Sequence, residues 1–305
     1  MADQPDVVHD HGPRAEIFGT DAYAPPQISA RVEQVGVAKA NLGTLPLFVL
    51  GILAGGFIGL GALSFTIVLA DTTLSFAASR LVGGVAFSLG LILVVVAGAE
   101  LFTGNNLLVM AWVGRSISTT QLLRNWTLAY LGNALGAGGL VLMVVLANHG
   151  SLGDGAVGAA AVRIAQAKVA LPFWEAFFKG VLCNMLVCLA VWLSVAGRSV
   201  IDKVVAVVFP ISAFVAAGFE HSIANLYFLP LGYLWQDQYA AEGTARIEPS
   251  AILANLLPVT LGNIVGGALL VAGIYYLVYH DPTVAAHGQR PPDRAQALLQ
   301  RLRRR

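Results

Sequence analysis

Polar groups interrupt two long apolar stretches, first at Glu100-Leu-Phe-Thr-Gly-Asn105 and again at Glu220-His-Ser-Ile-Ala-Asn225. A second shared pattern, Asn-x5-Leu-Gly-Asn-x2-Gly, follows the first interruption over 125–136 and the second over 255–266. Internal repeats that carry polar groups to mid-membrane depth are typical of transporters and channels built from broken helices. The repeat therefore indicates where a pore lies.

The composition is that of a membrane protein. Only 11% of the 305 residues are charged, and the mean hydropathy is +0.73. In a soluble domain about 25% of the residues are charged, and a spanning helix needs about 20 apolar residues. Six blocks reach that length within a predicted channel domain at 45–280, flanked by polar tails at 1–44 and 281–305. The blocks are 45–70, 81–113, 121–147, 170–197, 204–234 and 249–279.

The predicted fold is all-α, with six spans of which the second and fifth are broken. The first, third and sixth blocks indicate continuous helices. The second and fifth blocks contain Glu100 and Glu220, and each is too long and too interrupted for one plain helix. A break near mid-membrane is tolerated only where the freed backbone lines a cavity or is buried in protein. Both breaks are therefore expected to face a pore or the protein interior.

Lysine and arginine residues set the orientation. Most of the 18 basic residues lie in the two tails and in the second and fourth connections between blocks. The positive-inside rule places these segments, and therefore both termini, on the cytoplasmic side of the membrane. We predict that the protein lies in the inner (cytoplasmic) membrane of the cell. Because three spans separate 100–136 from 220–266, the repeat is an inverted 3+3 repeat. The run Arg301-Leu-Arg-Arg-Arg305 fits contact with anionic lipid, although a solvated tail that only sets the topology is favoured.

His221 is the one histidine of six that lies within an apolar block. An ionisable side chain inside a membrane is a functional candidate, because burying it without a partner is costly. Histidine also exchanges protons more readily near physiological pH than other side chains. The alternative is a neutral imidazole that joins two helices by hydrogen bonds. The position of His221 in a break, rather than on a regular helix face, favours the functional interpretation.

The two carboxylates allow two interpretations. Glu100 and Glu220 could form a proton or cation pathway. Alternatively, each could bind free backbone N–H groups of its broken turn, together with Asn105 in the first half or Asn225 in the second. The symmetry of the two pairs favours structural support of the broken helices.

Three further polar residues are candidates for a substrate pathway. Thr103 is expected to face His221, and its hydroxyl could donate to the imidazole or to an ion. Asn184, in the fourth block, could supply an amide, although both side chains could equally form ordinary interhelical hydrogen bonds. Lys168 could concentrate anions at the outer mouth, or it could be an interfacial lysine. The positive ends of restarted half-helices, without a free carboxylate pair, favour an anion over a metal cation.

Three stretches carry a resemblance to a known family: Leu101-Phe-Thr-Gly-Asn105, Gly218-Phe-Glu-His-Ser-Ile-Ala-Asn225 and Pro258-Val-Thr-Leu-Gly-Asn263. They resemble the formate–nitrite transporter family, most closely its formate channel branch. The similarity runs over about residues 35–280, and it implies an aquaporin-like six-helix fold in a homopentamer whose protomers each have a pore. The loop that reads Thr-Gly-Asn-Asn departs from the formate branch, which more often has small hydroxyl residues after the threonine.

The resemblance also implies a role for individual residues. His221 would be the central pore histidine, Thr103 its loop partner, Lys168 the outer cationic residue and Asn184 a polar lining group. The residues that match the apolar constrictions of the family are Leu91, Phe102, Phe214, Phe87 and Val187.

The predicted function is a channel or secondary transporter for small monovalent anions, and formate is the favoured substrate. Between two apolar constrictions an anion loses hydration, which raises its proton affinity, and His221 then stabilises it or passes it a proton. A nitrite or hydrosulfide channel would use the same residues, and a neutral-solute channel is a further alternative. We predict no enzyme, because the sequence contains neither a nucleophile motif nor a metal-binding motif. We also predict no cofactor, metal ion or nucleic acid partner.

Overall fold

The computed structural model describes residues 22–280. The C-terminal tail predicted at 281–305, with its arginine run, lies outside the described residues, as do the first 21 residues of the N-terminal tail. The helices are α1 (Pro25–Ala40), α2 (Thr44–Ala70), α3 (Phe76–Ala97), α4 (Val109–Val113), α5 (Thr119–Leu146), α6 (Ala156–Val169), α7 (Phe173–Ala196), α8 (Val200–Ala217), α9 (Ser222–Tyr239), α10 (Pro249–Ile264) and α11 (Ile274–Tyr279). Short 3-10 helices occupy Gly104–Leu108 and His149–Ser151.

Six helical segments are long and apolar enough to cross a membrane. They are α2, α3, α5, α7, α8 and a final segment in which the π-helical stretch Val265–Gly273 joins α10 to α11. The prediction of an all-α fold with six spans is thereby confirmed. The first and last spans differ from the predicted blocks by at most one residue at either end.

The two halves of the chain contain the same elements in the same order. Helices α1 to α5 correspond to α6 to α11, with the final span of the second half divided by its π-helical stretch. The predicted inverted repeat is confirmed, and it includes two helices that we did not predict. Helix α1 lies in the segment assigned to the N-terminal tail, and α6 lies in the connection before the fourth span. Both are shorter than a spanning helix, so neither forms an apolar block of spanning length in the sequence.

Glycine ends the first half of each broken span. Helix α3 stops at Gly98, with φ of +81°, and α8 stops at Gly218, with φ of +73°. Glycine adopts this left-handed conformation without the steric cost that a Cβ imposes, and it is a common helix terminator. The chain restarts in the 3-10 helix at Gly104–Leu108 in the first half and in α9 in the second. The predicted breaks in the second and fifth spans are confirmed.

Glycines also bring the spans on either side of each break into close contact. A Cβ on Gly136 of α5 would collide with the carbonyl oxygen of Ile52 on α2. In the second half, a Cβ on Gly266 would collide with the carbonyl oxygen of Val181 on α7. Small residues at such crossings let helix backbones approach closely in membranes. This close packing brings the asparagine side chains of α5 and α10 within hydrogen-bonding distance of the broken backbone.

Candidate functional site

An asparagine binds the freed backbone of each break. Asn133 Nδ2 donates to the carbonyl oxygens of Gly51 and Glu100, at 2.8 and 2.9 Å, and Asn133 Oδ1 accepts the Phe102 N–H at 2.9 Å. Asn263 makes the three equivalent bonds in the second half. Its partners are the carbonyl oxygens of Gly180 and Glu220, at 2.8 and 3.0 Å, and the Ser222 N–H, at 2.9 Å.

These bonds satisfy backbone groups that no lipid could satisfy at this depth. We expected the carboxylates of Glu100 and Glu220 to accept such backbone N–H groups. The structure assigns this role to Asn133 and Asn263, because their amides can donate and accept at once whereas an ionised carboxylate can only accept.

The carboxylate of Glu220 binds two side chains. Oε1 pairs with Lys168 Nζ at 2.8 Å, and Oε2 accepts from Asn225 Nδ2 at 2.7 Å. Asn225 Nδ2 also donates to Asn255 Oδ1 at 2.8 Å, and Asn255 Nδ2 donates to the carbonyl oxygen of Lys168 at 2.8 Å. Lys168 is therefore an ion-pair partner within the site, beyond the two roles considered from sequence. The pair compensates a carboxylate that is 5% exposed.

The first half contains an equivalent cluster. Glu100 Oε1 pairs with Lys39 Nζ at 3.0 Å, and Glu100 Oε2 accepts from Asn105 Nδ2 at 2.8 Å. Asn105 Nδ2 donates to Asn125 Oδ1 at 2.9 Å, and Asn125 Nδ2 donates to the carbonyl oxygen of Lys39 at 3.2 Å. Lys39 belongs to the predicted N-terminal tail, whose basic residues were considered only for the orientation. Its equivalence to Lys168 becomes visible once α1 is matched with α6.

The two halves meet at His221 and Thr103, both of which are buried. Nδ1 of His221 accepts the Ala224 N–H at 3.1 Å as the N-cap of α9. Because a backbone N–H can only donate, Nδ1 carries no proton here, and we assign the hydrogen of a neutral imidazole to Nε2. Nε2 lies 3.0 Å from Thr103 Oγ1 and donates to it. The Thr103 hydroxyl hydrogen can then be donated to another acceptor.

Aromatic rings cover the histidine on one side. The Phe214 ring stacks on the His221 imidazole, with centroids 5.9 Å apart. The Phe87 ring packs edge-on against Phe214, with centroids 5.7 Å apart. All three side chains are buried, so apolar rings cover one face of the imidazole.

Two cavities approach this buried region. Cavity 1, of about 360 Å³, includes Phe87, Phe214 and His221 in its lining. Cavity 2, of about 290 Å³, includes Leu91 and Leu101. The two cavities share no lining residue, although Phe87 and Leu91 are one turn apart on α3. A thin layer of buried side chains therefore separates them.

Leu101 was not selected from the sequence. It follows Glu100 as His221 follows Glu220, so it occupies the position of the histidine in the first half. It is buried and lines cavity 2. Alignment of the two interruptions residue by residue would have identified it.

Besides Thr103 and Asn225, three of the selected residues line neither cavity. Phe102 packs its ring edge-on against Trp126 and Tyr130, with centroids 6.1 and 5.0 Å apart. Val187 is buried in the apolar core. Asn184 Nδ2 donates to the carbonyl oxygens of Thr103 and Asn263, at 3.3 and 2.7 Å. Asn184 thus supports the loop that carries Thr103.

The structure has six spans, two of them broken, and a buried histidine–threonine pair between two cavities. These features define a multi-pass membrane protein of the channel and transporter class. The family model for the formate/nitrite transporter matches residues 26–277. The chain therefore belongs to the formate/nitrite transporter family, as the sequence motifs indicated.

Several relatives are similar along most of their length. Formate channel FocA of Escherichia coli (strain K12) is 41% identical over 271 residues, which cover 85% of this chain and 95% of the relative. Formate channel BtFdhC of Bacillus thuringiensis is 32% identical, over 84% of this chain and 96% of the relative. Each of these two relatives is named as a channel.

Solved structures give the same result. A structure described as a pentameric formate channel with formate bound has a TM-score of 0.71 and 38% identity, and the match covers 77% of this chain and 97% of that one. A structure described as an FNT family ion channel has a TM-score of 0.73 and 30% identity, with 82% and 98% covered. Both identities are high enough for the similarity to extend beyond the fold to the family.

Proposed function

We propose that this protein is a channel for small monovalent anions, with formate as its substrate, and that it works as a homopentamer with one pore in each protomer. The observation that carries the proposal is the His221–Thr103 pair, which lies buried between two cavities. The relatives support the choice of substrate and assembly, since they are named as formate channels and one as pentameric.

We assign the direction of the pore from the charges. In this proposal both termini are cytoplasmic and the protein lies in the inner membrane, with cavity 1 open to the outside and cavity 2 to the cytoplasm. Lys168 lines cavity 1 and Lys39 lines cavity 2, so an anion meets a lysine at either mouth. Because each lysine is paired with a buried glutamate, it can attract an anion only weakly.

Apolar side chains then remove the hydration of the anion. Phe87 and Phe214 line cavity 1, and Leu91 lines cavity 2. We assign these three side chains as the constrictions, so that an anion that moves between the cavities exchanges water for apolar surface. Loss of hydration disfavours the charged form and raises the proton affinity of a carboxylate. Constriction roles for Phe102 and Val187, which line neither cavity, stay predictions from the family resemblance.

His221 and Thr103 supply the polar contact within this layer. The Thr103 hydroxyl, which accepts from His221 Nε2, donates its own hydrogen to the anion. Transfer of a proton requires that Nδ1 first become protonated, and that replaces the Ala224 hydrogen bond by repulsion between two N–H groups. Proton uptake at His221 is therefore linked to loss of the α9 cap. A proton passed to the anion from Nε2 leaves Nδ1 protonated, so the cap is restored only when the ring exchanges to the tautomer with its hydrogen on Nε2.

Formate flux into right-side-out membrane vesicles tests the proposal. Vesicles that contain the protein should take up formate faster than vesicles without it, and an inward proton gradient should increase uptake further. Nitrite and hydrosulfide are offered separately at equal concentration. If nitrite or hydrosulfide is taken up faster than formate, that anion is the substrate instead. A flux that depends on neither the membrane potential nor the proton gradient would indicate a neutral-solute channel.

A further inference from the structure

The internal repeat allows the charges of the two cavities to be compared position by position. Lys39 and Lys168 are equivalent, but cavity 1 is lined by three further basic residues that have no charged equivalent in the first half or in α8. Gln34 stands five residues before Lys39, where Arg163 stands five before Lys168. Arg80 is equivalent to Val200, Arg163 to Gln34 and Lys179 to Leu50.

The equivalences have structural support. The carbonyl oxygens of Leu50 and Lys179 accept the N–H groups of Glu100 and Glu220, each at 3.2 Å. Arg80 and Val200 stand at the same distance in sequence before the glycines that end α3 and α8. The excess of positive charge in cavity 1 is therefore a departure from the symmetry of the fold.

Arg80 is hydrogen-bonded to the end of α8. Its Nε donates to the carbonyl oxygen of Ala216 at 3.1 Å, and its Nη2 donates to that of Val215 at 2.6 Å. A Cβ on Gly218 would lie 3.0 Å from Nη2, whereas a Cβ on the equivalent Gly98 would have no atom within 4 Å. A guanidinium has five N–H donors, so Arg80 retains donors beyond these two bonds.

Two of the basic residues in cavity 1 have no carboxylate partner. Lys168 is paired with Glu220, and Lys179 is paired with Glu175 at 2.7 Å. Within residues 22–280, no carboxylate lies within ion-pair distance of Arg80 or Arg163. The single bond given by Arg163, to the carbonyl oxygen of Leu69, is long at 3.5 Å.

Cavity 2 has fewer charges to offer. Apart from the paired Lys39, its lining contains one basic residue, Lys203. Among the described residues no carboxylate pairs with Lys203. One uncompensated cation therefore faces cavity 2, whereas two guanidiniums face cavity 1.

We infer that cavity 1 binds a small doubly charged oxyanion between Arg80 and Arg163 and that this anion blocks the pore from one side. Planar guanidiniums bind carboxylate and tetrahedral oxyanions through paired hydrogen bonds, and two of them match two negative charges. The inference rests on the proposed function, in which monovalent anions enter through this cavity.

A doubly charged anion can enter cavity 1 but cannot pass the layer at its base. The cost of removing an ion from water is set by Born solvation, which grows with the square of the charge. The side chains of Phe87, Phe214 and Leu91 offer nothing to replace that hydration. A dianion held by the arginines would consequently compete with the permeant anion without crossing.

Sulfate is the probe, because it keeps both charges across neutral pH. Formate uptake is measured in right-side-out and in inverted vesicles, with sulfate added outside and sodium chloride at equal ionic strength as the control. We expect sulfate to inhibit in one vesicle orientation only. Malonate is tested in the same way. Tighter block by malonate would assign the site to dicarboxylates and tighter block by sulfate to tetrahedral oxyanions, and both support the inference.

Variants assign the block to the two arginines. Arg163→Gln, at an exposed position, should raise the half-inhibiting sulfate concentration about tenfold, equivalent to about 1.4 kcal/mol. Arg80→Gln should do the same if the capped end of α8 still folds. Lys203→Gln in cavity 2 and Arg246→Gln, whose arginine lines neither cavity, should leave the half-inhibiting concentration unchanged. Equal block from both sides, or no change with Arg163→Gln, would overturn the inference.

A binding measurement separates this inference from the proposed function. Sulfate should raise the Tm of the purified full-length protein, and it should do so less in Arg163→Gln. If vesicles with the parent protein carry no formate, the proposed function fails, and the Tm shift still tests the site. A parent protein whose Tm responds equally to sulfate and to chloride at the same ionic strength would rule the site out.

Discussion

Thr103 Oγ1 lies 3.0 Å from Nε2 of His221, so that one side chain from each half of the repeat meets the other in the buried layer between the cavities. The two residues are 118 positions apart in sequence. Each residue lies in a break, and an asparagine side chain of the following span accepts a backbone N–H of that break. The breaks thus have two consequences. They leave backbone groups without helical hydrogen bonds, and they bring a buried hydroxyl into contact with a buried imidazole.

The first prediction concerns the imidazole. His221→Phe should assemble normally, since the ring fits beside Phe214, but it should lose proton-linked formate transport because no titratable group remains between Phe87 and Leu91. His221→Asn keeps a hydrogen-bonding side chain and should let anions pass without control by pH. Formate flux with and without an inward proton gradient measures both effects. A His221→Phe variant with the parent's rate and pH response would reduce the histidine to a tie between helices.

The second prediction concerns the hydroxyl of Thr103. Thr103→Val keeps the shape of the side chain but removes the acceptor for His221 Nε2–H, which leaves a buried donor unpaired at a cost of about 1–3 kcal/mol. We expect formate flux to fall by about fivefold to 150-fold, because each 1.4 kcal/mol corresponds to a factor of ten. Thr103→Ser retains the hydroxyl and should conduct at close to the parent rate. Loss of flux in Thr103→Ser as well would mean that packing of the methyl group, and not hydrogen bonding, is required.

The third prediction concerns the Lys168–Glu220 ion pair. Removing one member of a buried pair leaves an uncompensated charge and typically costs about 3–5 kcal/mol, with a smaller cost here because Lys168 is partly exposed to cavity 1. Glu220→Gln and Lys168→Gln should each lower the Tm of the purified protein. The double variant should lose less than the sum of the two losses, which is the signature of a direct interaction. Fully additive losses would show that the pair contributes nothing as a pair.

The spans and the breaks could be predicted from the sequence because each depends on local signals. A run of apolar residues spans a membrane wherever it occurs, so the blocks at 45–70 and 249–279 agree with the helices to within one residue. The breaks follow from Glu100 and Glu220, whose charges do not fit inside a plain apolar helix. The repeat of the polar pattern also indicated that Thr103 and His221 should face each other, as they do in the structure.

The helices α1 and α6 could not be predicted in the same way, because they do not span the membrane and their stability comes from tertiary contacts. Lys39 was consequently considered only for the orientation, and Lys168 only as a cation at the outer mouth or at the membrane interface. The information was nevertheless present in the repeat, since Lys39 precedes Gly51 by the same distance as Lys168 precedes Gly180. The roles of Asn133 and Asn263 were also missed, although both belong to the repeated pattern, because hydrogen bonds to a distant backbone leave no mark in sequence spacing.

The fourth prediction uses two glycines of the same helix. A Cβ on Gly136 would collide with the backbone of α2, whereas one on Gly138 would meet no atom within 4 Å. Gly136→Ala should therefore prevent α5 from packing, and little assembled protein should be recovered from membranes. Gly138→Ala should assemble as well as the parent, since alanine favours a helix over glycine by about 1 kcal/mol. The yield and Tm of the assembled protein measure both variants, and equal yields would mean that α2 and α5 can separate without harm.

The last prediction concerns the layer that separates the cavities. Phe87 lines cavity 1 and Leu91 lines cavity 2, one turn apart on α3. Phe87→Ala should widen the part of cavity 1 that adjoins His221 without removing the hydrogen bond between His221 and Thr103. We expect faster formate flux with a weaker dependence on the proton gradient, because an anion that keeps more of its water gains less proton affinity. Leu91→Ala should act in the same direction from the side of cavity 2. Val96→Ala, at an exposed position on the same helix, serves as the control and should leave flux unchanged. Flux in Phe87→Ala that is no faster than in the parent, with an unaltered response to the gradient, would mean that this phenylalanine does not limit the passage of the anion.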